Sequence, residues 1–139
     1  MNNNIILMRI NAPRKHQAII AQLVYGFTSL YLSGKTRLFA YPETMIDESQ
    51  TSPVPDVMLV DMDTDLTKAI IEITHTQGVK KDARKLQELM ADYDVEEGFV
   101  YDYKKEVWRK FNLTRGEVTE DPSFSEIASA HLDKMLFKA

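Results

Sequence analysis

Pro55-Asp56-Val57-Met58-Leu59-Val60 and, a short way on, Ala69-Ile70-Ile71-Glu72-Ile73-Thr74 are the two stretches whose reading decides the fold. Each holds a continuous apolar run, the pattern of a strand buried on both faces. Each also carries a carboxylate where a purely structural strand would not want one. Asp56 opens the first run, and Glu72 lies between Ile71 and Ile73 in the second. A buried carboxylate needs a cation, a hydrogen-bond donor or solvent. With Met62 to Lys68 read as a turn, the strands form a hairpin centred near Asp65. Position 58 then faces 72 and position 56 faces 74, so Asp56, Met58, Glu72 and Thr74 share one face. Asp56 and Glu72 become diagonal neighbours with Cβ atoms roughly 7–8 Å apart or somewhat less. From that spacing both can reach one Mg²⁺ or Mn²⁺. A slip of one residue would put them on opposite faces. The competing assignment pairs Glu72 with a nearby lysine and leaves Asp56 as a turn residue.

Upstream, Asn11 is expected to cap a helix with Pro13 in its first turn. Ile20, Leu23, Phe27 and Leu30 supply its buried stripe, and Ser33-Gly34 ends it. Thr36 to Tyr41 reads as a strand that Pro42 interrupts and Thr44-Met45-Ile46 resumes, followed by a loop from Asp47 to Pro55. Downstream, a helix is expected from Val79 to Tyr93, with Val79, Ala83, Leu86, Met90 and Tyr93 on its core side. A strand at Gly98–Asp102 pairs with one at Glu106–Phe111. A last strand (Gly116–Val118) and an amphipathic helix near Phe124–Leu136 complete the chain. With no repeat or linker, residues 1–139 make one α/β (α+β) domain: a mixed central β-sheet flanked by helices.

The chain has 139 residues, 44 % of them hydrophobic and 27 % charged, which suits one packed domain and not a disordered one. It has no cysteine, which excludes disulfides, thiol nucleophiles and thiolate metal sites. Ile5-Ile6-Leu7-Met8 is too short for a signal-peptide core or a membrane span, so a cytoplasmic protein without a membrane partner is expected. A net charge of −4 argues against a general duplex-DNA binder. No Gly-rich phosphate loop, nucleophile elbow or His-x-x-x-His spacing is present.

Pro55-Asp56-Val57, then Glu72-Ile73-Thr74, then Lys85-Leu86 with Tyr93, Val95 and Glu97, stand in an order that resembles the PD-(D/E)XK nuclease superfamily. The resemblance is nearest to the Uma2-like, restriction-endonuclease-like proteins. His16-Gln17-Ala18-Ile19 with Leu23 resembles that family's opening helix, and Leu132-Asp133-Lys134-Met135-Leu136-Phe137 fits its ending. The resemblance implies a restriction-endonuclease-like core and metal-dependent phosphodiester hydrolysis of nucleic acid, DNA above all. It implies one or two Mg²⁺ or Mn²⁺ ions on Asp56, Glu72 and the Ile73 carbonyl, with Glu43 as a further acidic group from the preceding strand. A homodimer is expected by analogy, since cutting both strands of a duplex calls for two sites.

The chain departs from the superfamily at Thr74, which stands where a lysine is usual. Uma2-like relatives also lack that lysine, and a lysine on the following helix is thought to replace it. At 100° per residue, Lys85 sits on the shoulder of the second helix beside the core stripe centred on Leu86, with Asp82 and Leu89. A long side chain there can run along apolar surface toward the sheet. Lys85 is therefore the expected third catalytic residue, with a solvated surface lysine as the alternative. Thr74 and His16 are possible supporting residues. Lys80, Lys81 and Arg84 form the concentrated basic stretch for nucleic-acid contact, and Lys104, Lys105, Arg109 and Lys110 a looser second. His75 is expected at the surface, His131 in the last helix without a partner, and Trp108 in the core or an interface. The missing lysine leaves a second function open: a catalytically inactive nuclease fold acting as a binding or assembly module.

Overall fold

The structure, a computed structural model, describes residues 13–137. The expected cap at Asn11 and the run at 5–8 lie outside them. Helix α1 spans Arg14–Leu32 and buries Ile19, Ile20, Leu23 and Phe27. Pro13 is not in its first turn but stands just before it, where its carbonyl accepts the Gln17 N–H at 3.1 Å. Strands β1 (Leu38–Pro42), β2 (Val57–Asp61) and β3 (Leu66–Thr74) follow. A 3₁₀ turn at Thr76–Gly78 leads into helix α2, Val79–Tyr93, whose bounds match the expectation. Strands β4 (Glu97–Asp102), β5 (Val107–Asn112) and β6 (Gly116–Val118) complete the main sheet.

The six strands lie in chain order, antiparallel except for the β3–β4 pair. That one parallel step needs a crossover, and α2 supplies it. The helix packs on one face over Ile70, Val100 and Phe111. Gly98 admits this approach, because a Cβ there would lie 2.5 Å from the Met90 sulfur and 2.9 Å from Leu86. Helix α1 covers the other face with Val57, Leu59, Ile71, Ile73, Phe99 and Trp108. Among the described residues, no helix is long and apolar enough to cross a membrane.

Three expectations are corrected. Thr44-Met45-Ile46 does not resume β1. Glu43 takes a left-handed φ of 43°, and the Thr44 hydroxyl donates to the Pro42 carbonyl at 2.7 Å, so local side-chain bonding replaces the ladder. Residues 66–68 are strand and not turn, because the Asp65 N–H closes onto the Asp61 carbonyl at 2.7 Å with Asp65 at φ 61°. The final helix is absent. Phe124–Ser125 and Ala130–His131 form a small hairpin, β7 and β8, followed by a 3₁₀ turn at Leu132–Met135. The buried Ser125 hydroxyl donates to Glu97 at 2.7 Å and accepts the Ala128 N–H at 3.1 Å, a local bonding scheme that competes with a helix. Lys110 also reaches this segment, donating to the Phe124 carbonyl at 2.8 Å.

The register of β2 on β3 differs in an informative way. The turn is tighter than expected, with Asp61 opposite Leu66. An irregularity at Leu59/Val60 then shifts the ladder, leaving Leu59 opposite Ala69 and Val57 opposite Ile71. One step further sets Asp56 beside Glu72, directly across and not on a diagonal. The tighter turn alone would have aligned Asp56 with Ile71, placing the two carboxylates on opposite faces. The bulge restores them to one side.

Candidate metal and phosphodiester site

Asp56 and Glu72 are bonded into each other's backbone. The Asp56 N–H donates to Glu72 Oε1 at 3.1 Å, and the Ile73 N–H donates to Asp56 Oδ2 at 2.7 Å. The register and the apolar run together cause this, since β2 begins just after Asp56 while β3 runs on past Glu72 to Thr74. Asp56 Oδ1 and Glu72 Oε2 accept no hydrogen bond from the described residues. Burial and then the charge of Asp56 push the Glu72 carboxyl up to about 8, Asp82 adding to this while the Asp56 N–H and Lys85 oppose it.

His16 comes from α1 on the other side. Its Nε2 lies 3.2 Å from Asp56 Oδ2. That hydrogen bond, working against burial and helped by Gln17, Asp56 and Glu43, raises the imidazole to about 9. His16 is therefore a cation at neutral pH, and it compensates Asp56 but not Glu72. Nothing at sequence level ranked it above a packing histidine, because its partner is 40 positions away.

Lys85 is exposed and lines a cleft of about 370 Å³ with Glu72, Asp82, Leu86, Glu88 and Asp92. It shares the α2 side of the sheet with Glu72 and lowers that carboxyl electrostatically, but no ion pair joins them. Asp82, expected on the helix shoulder with Lys85, is also a neighbour of Glu72. Its spacing of three from Lys85 was the available signal.

Other expected residues do not converge on the pair. Glu43 is exposed, its carboxylate accepting from Gln17 Nε2 at 3.2 Å while its N–H donates to the Asp56 carbonyl at 2.9 Å. Among the described residues, no three His, Asp or Glu side chains form a metal-holding group. Thr74 is buried and its hydroxyl donates to the His75 carbonyl at 3.3 Å. Gly78 closes over it, with space for a Cβ only 2.4 Å from Thr74 Oγ1. Lys80, Lys81 and Arg84 are exposed, as is His75.

The second basic group is corrected. Lys110 is buried beside Glu97, and Arg109 is held by Glu117 at 2.7 and 2.8 Å, so neither is free for phosphate. His131 has a partner after all, Asp121 at 3.2 Å. Trp108 is 8 % exposed in the α1-side core, where it borders a hollow of about 390 Å³ with Tyr101 and Leu136.

No family model matches the sequence, and no curated protein matches it. The chain is similar to a crystal structure from Anabaena variabilis ATCC 29413, described as that of a candidate nuclease belonging to DUF820. The TM-score is 0.61 at 14 % identity, covering 92 % of this chain and 79 % of that one. At that identity the likeness shows the fold. The α+β architecture of this chain, with its mixed six-stranded sheet, is similar to the fold of that structure.

Proposed function

We propose that the chain is a metal-dependent nuclease that hydrolyses phosphodiester bonds of nucleic acid, DNA first, with Mg²⁺ or Mn²⁺ as its ion. The observation that carries this reading is the Asp56–Glu72 pair: two carboxyl groups side by side, each with one oxygen that takes no donor among the described residues, and Glu72 pushed up to about 8 by burial and by Asp56. Such a donor set fits a hard divalent cation, which prefers carboxylate and carbonyl oxygen and retains several waters. Asp56 and Glu72 would hold it with the Ile73 carbonyl, whose residue already presents its main chain to Asp56. Glu43 enters only if its exposed side chain turns inward. The bound ion would polarise the phosphate and lower the pKa of water.

Lys85 would place its ammonium against the phosphoryl oxygens and the incoming water from the α2 side. His16 would fix the Asp56 carboxylate through Oδ2, leaving Oδ1 for the ion. Thr74, tied to the His75 carbonyl, would support the strand end without carrying charge. Two copies would serve a duplex, one for each strand.

The test is cleavage of single- and double-stranded DNA and RNA with Mg²⁺ or Mn²⁺. Lys85→Met is expected to lose activity by about 10²–10³, the scale of a removed charge-stabilising donor, while keeping metal binding. Absence of cleavage from every substrate with either ion would sink the nuclease reading. A second reading, a binding or assembly module that kept the fold without the reaction, is favoured by the neutral, engaged Thr74. It predicts metal stabilisation with no cleavage.

A further inference from the structure

Resting on the nuclease reading, we infer that Asp102 is a positioning residue that joins two lysine-bearing segments into one phosphate-backbone track at the carboxyl ends of β3 and β4. Asp102 pairs with Thr74 across the parallel ladder, two residues beyond the Glu72–Val100 pair. At about 3.3 Å per strand residue, that sets the track about 7 Å further along the sheet than Glu72.

Asp102 is 5 % exposed, and its carboxylate is engaged on two sides. Oδ2 accepts the Thr76 hydroxyl at 2.8 Å, while Oδ1 accepts the N–H groups of Lys104 at 2.9 Å and Lys105 at 3.2 Å. Thr76 opens the turn that leads to Lys80 and Lys81. Lys104 and Lys105 form the turn between β4 and β5, and all four lysines are exposed. One buried carboxylate therefore fixes both segments. Burial works against its ionisation, but the Thr76 hydroxyl, the two N–H groups and the Lys105 charge outweigh it and hold the carboxyl below its usual range. Glu106, in the same turn as Lys104 and Lys105, lines the hollow on the opposite face.

The charge order of α2 is an independent observation. Lys80, Lys81 and Arg84 outnumber Asp82 in its amino-terminal half, and its last turn has no basic residue. Helix dipoles favour the reverse, by about 0.3–1 kcal/mol for each charge. Helix stability does not account for this placement, whereas attraction of a polyanion does. The strand-end side of α2 is positive, and the cleft end, with Glu88 and Asp92, is negative. A nucleic-acid backbone is thus drawn in along the strand ends and repelled only from the Glu88–Asp92 end of the cleft.

The test is fluorescence anisotropy of a labelled short DNA duplex and its single strand over a salt series in EDTA, where no cleavage occurs. Lys80→Ala/Lys81→Ala and Lys104→Ala/Lys105→Ala should each weaken binding and flatten the salt slope by about 1 per lysine. Asp102→Ala and Thr76→Val should flatten it with every lysine in place, and Thr76→Ser should not. An Asp102 that is merely structural would lower the melting temperature and leave the slope of the folded protein unchanged, which would overturn the inference. If Asp102→Ala does not fold, Thr76→Val decides, since it removes a single hydroxyl from an exposed residue. Wild-type protein that binds neither DNA also overturns the track, while leaving the carboxylate site to its own metal test. Normal lysine-dependent binding without metal-dependent cleavage would overturn the nuclease reading alone.

Discussion

Two pairs of ionisable side chains are set into the same sheet and are completed differently. Glu97 and Lys110 are each about 1 % exposed. Glu97 accepts from the Ser125 hydroxyl at 2.7 Å and the Glu126 N–H at 2.8 Å, with Lys110 Nζ 3.4 Å from Oε2. Lys110 in turn donates to the Phe124 carbonyl. That charge is compensated wholly within the chain, and its effect is to fasten the 121–136 segment to β4 and β5. Burial, and the repulsion between Asp56 and Glu72 when both are ionised, hold Glu72 protonated until its carboxyl is neutralised from outside, and His16 answers only Asp56. Buried charge must be compensated or neutralised. The difference separates a pair that holds the fold from a pair that has room for a cation.

The largest expected effect breaks the completed pair. Lys110→Met leaves Glu97 buried without its cation and should cost about 3–5 kcal/mol, read from the urea midpoint. A loss under about 1 kcal/mol would show that Glu97 needs only its neutral donors. A smaller effect of opposite sign is expected at the incomplete pair. Because the Glu72 carboxyl is raised in the folded chain, the unfolded chain loses that proton first, and stability falls as pH rises from about 4.5 to about 8. Glu72→Gln removes this penalty. In EDTA it should stabilise by roughly 2–4 kcal/mol at pH 8 and by almost nothing near pH 4.5. Equal effects at both pH values would place the cause in packing and not in charge.

The frame of the fold was legible because its signals are periodic. The α1 stripe, the bounds of α2 and the apolar runs of β2 to β4 each follow from one local pattern. The Asp56–Glu72 pairing was legible in kind but not in detail. Turn length and a bulge at Leu59/Val60 set the register, and neither leaves a hydrophobic signature. The end of the chain misled because Ser125 and Glu97 bond across 28 positions, and tertiary bonding overrode an amphipathic spacing. The same cause hid His16 as the partner of Asp56 and Lys110 as a core residue. A charged side chain reads as surface until its partner is known.

Whether Asp56 and Glu72 hold a divalent ion is read most directly from the melting temperature in EDTA and with Mn²⁺. At ~100 times its dissociation constant, an ion that binds only the folded chain adds about 2.7 kcal/mol. For a chain of this size, that is a rise of roughly 5–10 °C. The rise should vanish in Asp56→Ala and persist in Lys85→Met. No rise in the wild type, or an equal one in Asp56→Ala, would mean that the pair holds no ion.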